Sequence, residues 1–191
     1  MKIELVDSID KSANKAASSL HTAFPGEIVS VNPDAAEADI RPYAKLRLPN
    51  GKLIDFPTLY NVPIVFPQSS VLGACISFPI RKGDGCLVVV SEDTLDYWRL
   101  NRDAGTTTRH SLTDAICIPG LSRSGSSMLR EACDDGMIII SNGDAQIRMT
   151  ENAISVTGKT VTVKATQDMT LEAGRNMVIK YSKYGKFLAC P

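Results

Sequence analysis

Residues 147–179 read IRMTENAISVTGKTVTVKATQDMTLEAGRNMVI, and this stretch decides the fold. Apolar residues two apart recur along it as Ile147/Met149, Ile154/Val156, Val161/Val163, Met169/Leu171 and Met177/Ile179. The pairs return every seven or eight residues, with Asn142-Gly143-Asp144 before the first and Glu151-Asn152, Gly158-Lys159, Gln167-Asp168 and Gly174-Arg175 between them. Period-two alternation over so short a run is a half-apolar strand, and the intervening Gly, Asn and Asp favour tight turns. The segment is therefore an array of strand-and-turn repeats.

Each repeat exposes a stripe of two apolar side chains, and nothing else in the chain is set aside to cover it. Three copies wound about a common axis solve that problem. Their inward side chains fill a narrow prism, and strands that pair between copies leave no lateral edges. The reading is a triple-stranded intertwined β-helix over 131–191, a homotrimeric needle whose core is formed by the ten paired residues. A single-chain left-handed solenoid needs a period near six. An ordinary antiparallel meander packed on the rest of the chain lacks an obvious covering surface. Thr150, Ser155, Thr162, Lys164, Thr170 and Glu172 face outward in the trimeric reading and keep the needle soluble.

Upstream, the signals remain those of strands and turns. Glu27 to Val31 and Ala44 to Leu48 alternate, and the second runs through Pro49-Asn50-Gly51-Lys52 into Leu53-Ile54 as a hairpin. Further strands are predicted at Val62 to Val65 and Val71 to Phe78. Lys82-Gly83-Asp84-Gly85 turns into Cys86 to Val90, whose unbroken apolar run suggests a strand covered on both faces. About five short strands with long connections suggest a small closed barrel of the OB type over 24–130. Residues 101–130 read mostly as a trailing loop. Ahead of the barrel, Ile3, Val6, Ile9, Ala13, Ala16, Ala17 and Leu20 fall at steps of three and four, an amphipathic helix within 1–23 that ends near His21. Alone it is marginal, so its apolar face is expected to dock on a partner or sister chain. The fold class is thus all-β behind a leading helix.

Composition narrows the function. With 21 basic and 21 acidic residues in 191, the chain has no net field to gather nucleic acid or anionic lipid. Aromatics are 6%, too sparse for the stacking platform of a single-strand-binding barrel. Cys75, Cys86, Cys117, Cys133 and Cys190 show no ligand spacing and read as small apolar residues of a reducing compartment. Asp84 and Asp93 sit at a turn and a strand end, where structural roles dominate, and His110-Ser111 with Asp114 shares residue types with a triad without its geometry. No catalytic residue, cofactor or metal is expected. The acidic N-terminus does not resemble an export signal, and no apolar run approaches a membrane span.

Several ordered motifs carry a resemblance. Pro25 to Val31, Asn50-Gly51 through Val62-Pro63-Ile64-Val65-Phe66-Pro67, Phe78-Pro79 and Gly83-Asp84-Gly85 are followed by Asp96-Tyr97-Trp98, Arg109-His110-Ser111-Leu112-Thr113-Asp114-Ala115 and Pro119-Gly120. Together they resemble the N-terminal OB domain of phage membrane-puncturing central spike proteins. That resemblance implies an OB barrel, a trimeric β-helical needle after it, and a place in the virion at the tip of the tail baseplate, after assembly in the host cytoplasm. Gly83, Asp84, Gly85, Trp98, Arg109, His110 and Asp114 would be structural residues of the barrel, with Arg109 and Asp114 tying the trailing loop to it. Implied partners are two further copies of the chain, a baseplate hub protein and, transiently, the host outer membrane. A spike of a tailocin or secretion machine shares the architecture. Family members that end in His-x-His hold an iron ion at the tip; here the end offers Phe187, Leu188 and Cys190, so an apolar metal-free tip or a separate capping protein is expected.

Overall fold

Gly26 shows how tightly the first strand is wrapped by its neighbours: a Cβ there would lie 2.6 Å from Ile40 Cγ2 and 3.2 Å from Val88 Cγ2. The computed structural model of the chain describes residues 7–14, 20–48, 50–69, 71–101, 105 and 109–179. It is mostly β, with few helices, and divides into two compact units, Met1–Ser127 and Met128–Pro191.

In the first unit, β1 (Ala23–Asn32) pairs antiparallel with β2 (Glu37–Pro42) on one side and β8 (Gly85–Val90) on the other. β5 (Leu59–Pro63) adds beyond β2 and β9 (Ala115–Pro119) beyond β8, giving the order β5-β2-β1-β8-β9. A bulge between Ile28 and Ser30, and another between Ala38 and Ile40, increase the local twist and curl the sheet. The two edges then meet: Ile64 bridges Cys117 in parallel, and Val65 N–H donates to the Cys117 carbonyl at 2.9 Å. Inside the curl lie Ile28, Ala38, Ile40, Leu59, Val62, Ile64, Cys86, Val88, Ala115 and Cys117, with Phe24, Val31, Phe66, Ile80 and Leu112 packed against them. Burial alternates along β1, β2 and β8 because successive side chains point to opposite faces.

The structure revises several strand readings. β8 is not covered on both faces; Cys86, Val88 and Val90 are buried while Leu87 and Val89 are half-buried. The segment from Val71 to Phe78 is a turn followed by the two-residue β7 (Ala74–Cys75), paired with β6 (Gln68–Ser69), and Val71 at 93% exposure packs on nothing. Its apolar residues lack the alternation that would seat one face on a core. The expected hairpin is present as β3 (Lys45–Arg47) and β4 (Leu53–Asp55), turned at Gly51 with φ +82°, but it forms a sheet of its own. The trailing segment, read as mostly loop, is interrupted by elements. It contains a 3-10 turn (Leu112–Asp114), the edge strand β9 and the start of helix α3 (Ser127–Asp134), while a short helix α2 (Asp96–Leu100) precedes it.

Residues 7–14 form helix α1, exposed throughout, and Leu20 and His21 already lie outside it. Ile3, Val6, Ala16 and Ala17 of the expected helix lie outside the described residues. No described helix is long and apolar enough to cross a membrane.

Candidate functional site

The second unit contains a three-stranded antiparallel meander, β10 (Ile138–Asn142), β11 (Ala145–Met149) and β12 (Ile154–Thr157). Gly143, at φ +62°, makes the first turn possible, and Thr150 N–H donating to the Ala153 carbonyl at 2.9 Å closes the second. The register places Ile138 opposite Met149 and Met149 opposite Ile154, with Ile140, Ile147 and Val156 forming the adjacent row. Six aliphatic side chains therefore share one face in two cross-strand rows. Five of them are exposed, Ile154 at 72%, and Met149 is half-buried.

The opposite face carries Ile139 among Ser141, Gln146, Arg148 and Ser155, and its polar groups are in use. Arg148 Nη1 and Nη2 reach the two carboxylate oxygens of Glu131 on α3, the second at 3.2 Å, and Arg148 Nε donates to Gln146 Oε1 at 2.8 Å. Ser141 Oγ lies 2.8 Å from Met128 Sδ on the same helix. The helix thus bonds to the face of Arg148 and Ser141, and among the described residues the aliphatic face is left largely exposed. This inverts the usual arrangement, in which a helix covers the apolar side of a sheet.

Of the ten expected core residues, Ile147, Met149, Ile154 and Val156 lie on the uncovered face. Their strands, β11 and β12, pair with each other within the chain, and β11 also pairs with β10. Val161, Val163, Met169, Leu171, Met177 and Ile179 are also exposed, and among the described residues 158–179 form no strand. Phe187, Leu188 and Cys190 lie outside the described residues. Ile138 and Ile140 complete the face and were missed by the repeat reading. The signal was present in Met137 to Ile140, an apolar run of strand length, but pairing with β11 is what assigns its face.

The residues read as structural ones of the barrel lie as follows. Gly83, at φ +96°, and Asp84 form the turn before β8, where Asp84 Oδ2 accepts from Arg81 N–H at 2.7 Å and the Asp84 carbonyl accepts from Ile28 N–H at 2.9 Å. Gly85 sits beneath the chain leaving β9: its carbonyl accepts from both Gly120 and Leu121 N–H at 3.1 Å, and a Cβ on it would lie 2.1 Å from the Leu121 oxygen. Asp114 is 7% exposed and accepts from Leu95 N–H at 2.9 Å and Thr113 Oγ1 at 3.2 Å, holding the start of α2. Arg109 binds Glu92 at 2.7 Å in an exposed pair. His110 has φ +53° and a buried Nδ1 without a hydrogen-bond partner. Trp98 is 75% exposed on α2.

Two groupings were not read from the sequence. Glu27 gathers Arg41 at 2.7 Å, Arg123 at 2.8 Å and the Tyr43 hydroxyl, with the Arg123 guanidinium 4.0 Å above the Tyr43 ring. A cavity of about 510 Å³ opens beside them, lined in part by Phe78, Asp84, Leu121 and Arg123. In the core, the free thiols of Cys86 and Cys117 approach each other; the hydrogen bond between them, with burial adding to it, pushes Cys117 up from the ordinary thiol range. Among the described residues no three His, Cys, Asp or Glu side chains gather as a metal site.

A family model described as Phage protein Gp138 N-terminal domain matches residues 24–120, just over half of the chain. The chain belongs to this family. A search of the curated proteins finds no match.

The Gp138 N-terminal domain begins at Phe24 in β1 and ends at Gly120, one residue after β9, so the match spans the curled sheet from its first strand to its closing one. Gly83, Asp84, Gly85, Trp98, Arg109, His110 and Asp114 all lie within the Gp138 domain. The aliphatic face and the repeats of 158–179 lie outside it. Membership makes this a phage protein.

Proposed function

We propose that the chain is the central spike at the tip of a contractile phage tail, a homotrimer driven through the host envelope when the sheath contracts. The observation that carries this reading is the set of aliphatic pairs from Val161 to Ile179, exposed and without strand partners among the described residues. So much regularly spaced apolar surface on one chain is a strong reason for assembly. Three copies intertwined as a β-helix bury the pairs on the axis and pair the strands between chains. Folding and assembly of that segment are then a single event.

The first unit supports the reading. A five-stranded sheet ordered β5-β2-β1-β8-β9, whose outer strands meet through a parallel bridge, has the connectivity of an OB barrel. Membership in a phage family favours a virion component over a nucleic-acid-binding barrel. Sheath contraction supplies the work, and the chain transmits it without chemistry of its own. Axial stiffness is the property required, and continuous hydrogen bonding between chains supplies it. The exposed Trp98 and helix α1 are candidate contacts to a baseplate hub; Phe187, Leu188 and Cys190 would meet lipid or a capping protein.

Native mass spectrometry of the full chain at low micromolar concentration tests the assembly. Three times the 20.6 kDa chain mass is expected, and a folded single copy overturns the reading. On purified virions, an antibody raised against 158–179 should label the baseplate end of the tail; labelling of the head would defeat the assignment.

A further inference from the structure

The core of the curled sheet is aliphatic except at two positions: of its ten buried residues, eight are Ile, Leu, Val or Ala, and the other two are Cys86 and Cys117. Both cysteines are 0% exposed and both thiols are free. The register of β8 and β9 sets Cys86 opposite Pro119 and Cys117 opposite Val88, so the two sit on one face, diagonal to each other across the strand pair. Their side chains meet in a thiol–thiol hydrogen bond. We propose that Cys86 and Cys117 form an oxidation site, which a hydroperoxide converts into a disulfide within the chain that ties β8 to β9. The inference concerns the first unit alone and does not depend on the trimeric reading.

A lone cysteine in a core acts as a small apolar residue and is inert. An aliphatic side chain would fill either position, as it does at the eight neighbours, so burial alone does not call for this pair. Two sulfurs in contact have a further capacity, because one can be attacked and the other can resolve the product. The Cys117 S–H and the Gly26 N–H both donate to the Cys86 sulfur, which makes Cys86 the more readily ionised of the two. Gly26 also leaves the space, since a Cβ there would lie 3.3 Å from Cys86 Sγ. The Cys86 thiolate attacks one peroxide oxygen; an S–O bond forms, the O–O bond breaks, and the departing hydroxide takes up the proton that Cys86 released. The Cys117 sulfur then attacks Cys86 Sγ, the S–O bond breaks, and that hydroxide takes the Cys117 proton. Two thiols are oxidised and hydrogen peroxide is reduced to two waters. Access comes from the edge of the sheet. β9 is joined on its outer side by the Ile64 bridge and by the Val65 N–H at the Cys117 carbonyl. Local opening of such an edge admits a molecule little larger than water. The diagonal placement requires β9 to shift before the sulfurs bond, and a link under such strain is more easily reduced than a structural one. Thiols persist in reducing compartments and disulfides outside them. The pair thus gives the sheet a reduced form whose edge can open and an oxidised form whose edge is pinned.

The test uses the full chain carrying Cys75→Ser, Cys133→Ser and Cys190→Ser. It is treated with hydrogen peroxide, quenched with catalase, unfolded and exposed to a maleimide. The oxidised chain should weigh two hydrogens less, take up no maleimide and yield one cross-linked peptide pair containing Cys86 and Cys117. Dithiothreitol should restore both labels. The first unit should melt about 5–10 °C higher in the oxidised form than in the reduced one. Adding Cys117→Ala should leave oxygen on Cys86 with no loss of hydrogens. Peptide mapping of the wild-type chain after the same treatment is a second measurement that needs no substitution. Chains that gain oxygen alone, that link between copies, or that still take up two maleimides would overturn the site. A disulfide that leaves melting unchanged or lowers it would overturn the pinned edge.

Discussion

Asp114 illustrates how a side chain far from any chemistry can still be indispensable. Its carboxylate sits at the 3-10 turn before β9 and accepts the Leu95 N–H, so it anchors α2 from 19 residues away. Asp114→Ala removes that acceptor and leaves a part-buried N–H without a partner, at a cost of about 1–3 kcal/mol. Denaturant unfolding of the variant would measure the loss, and an unchanged midpoint would show that the turn does not depend on it. Gly85 makes a sharper demand. Its Cα faces the Leu121 carbonyl so closely that Gly85→Ala must push the chain leaving β9 off the sheet, destabilising by about 1–3 kcal/mol. The same substitution at Gly51, whose Cβ would meet nothing within 4 Å, tests positive φ alone and should cost less than about 1.5 kcal/mol. The cysteines divide by burial. Cys86 and Cys117 lie buried in the core, out of reach of an alkylating reagent, which should modify Cys75 and Cys133 in the folded chain and spare the core pair.

At the scale of elements, the meander separates two faces that a mutation can address singly. Ile154→Asp puts a carboxylate on the aliphatic face, where three copies would bring three charges to one axis. No trimer should form. Ser155→Asp, one residue later on the other face of β12, should leave the assembly unchanged by native mass, and equal effects would refute the assigned inward face. Arg148→Ala breaks the tie between β11 and α3. Because that pair is about one-third exposed, solvent screening limits the loss to about 1 kcal/mol, visible as earlier melting without loss of trimer. The elements also show where sequence reading stopped. β8 and the turn residues Gly83-Asp84-Gly85 were legible because an apolar run entered through a turn is a strong local signal. β2 and β9 were not, since Glu37–Pro42 and Ala115–Pro119 are short, lie within turn-rich surroundings and carry only two inward apolar residues each. Their identity as strands comes from what they pair with.

For the whole molecule, stability and assembly are expected to be linked. If the second unit buries its apolar surface only between copies, its melting temperature should rise with protein concentration, whereas that of residues 24–120 should not. Calorimetry at two concentrations a hundred-fold apart would reveal one moving transition and one fixed. Two transitions indifferent to concentration would mean that each copy folds alone. By itself the sequence determined the alternation of faces along β1, β11 and β12, the turns beside them, and the five aliphatic pairs that a lone chain leaves largely in water. These are local properties, encoded by which side chains stand two apart and by where Gly, Asn and Asp interrupt them. Only the tertiary structure decided that Ile64 meets Cys117 to close the curled sheet, that Gly85 lies under Leu121, and that α3 bonds to the face of Arg148 and Ser141 instead of the aliphatic one. Those outcomes depend on pairings between residues far apart in the chain, where many partners are compatible with the same pattern and packing selects among them.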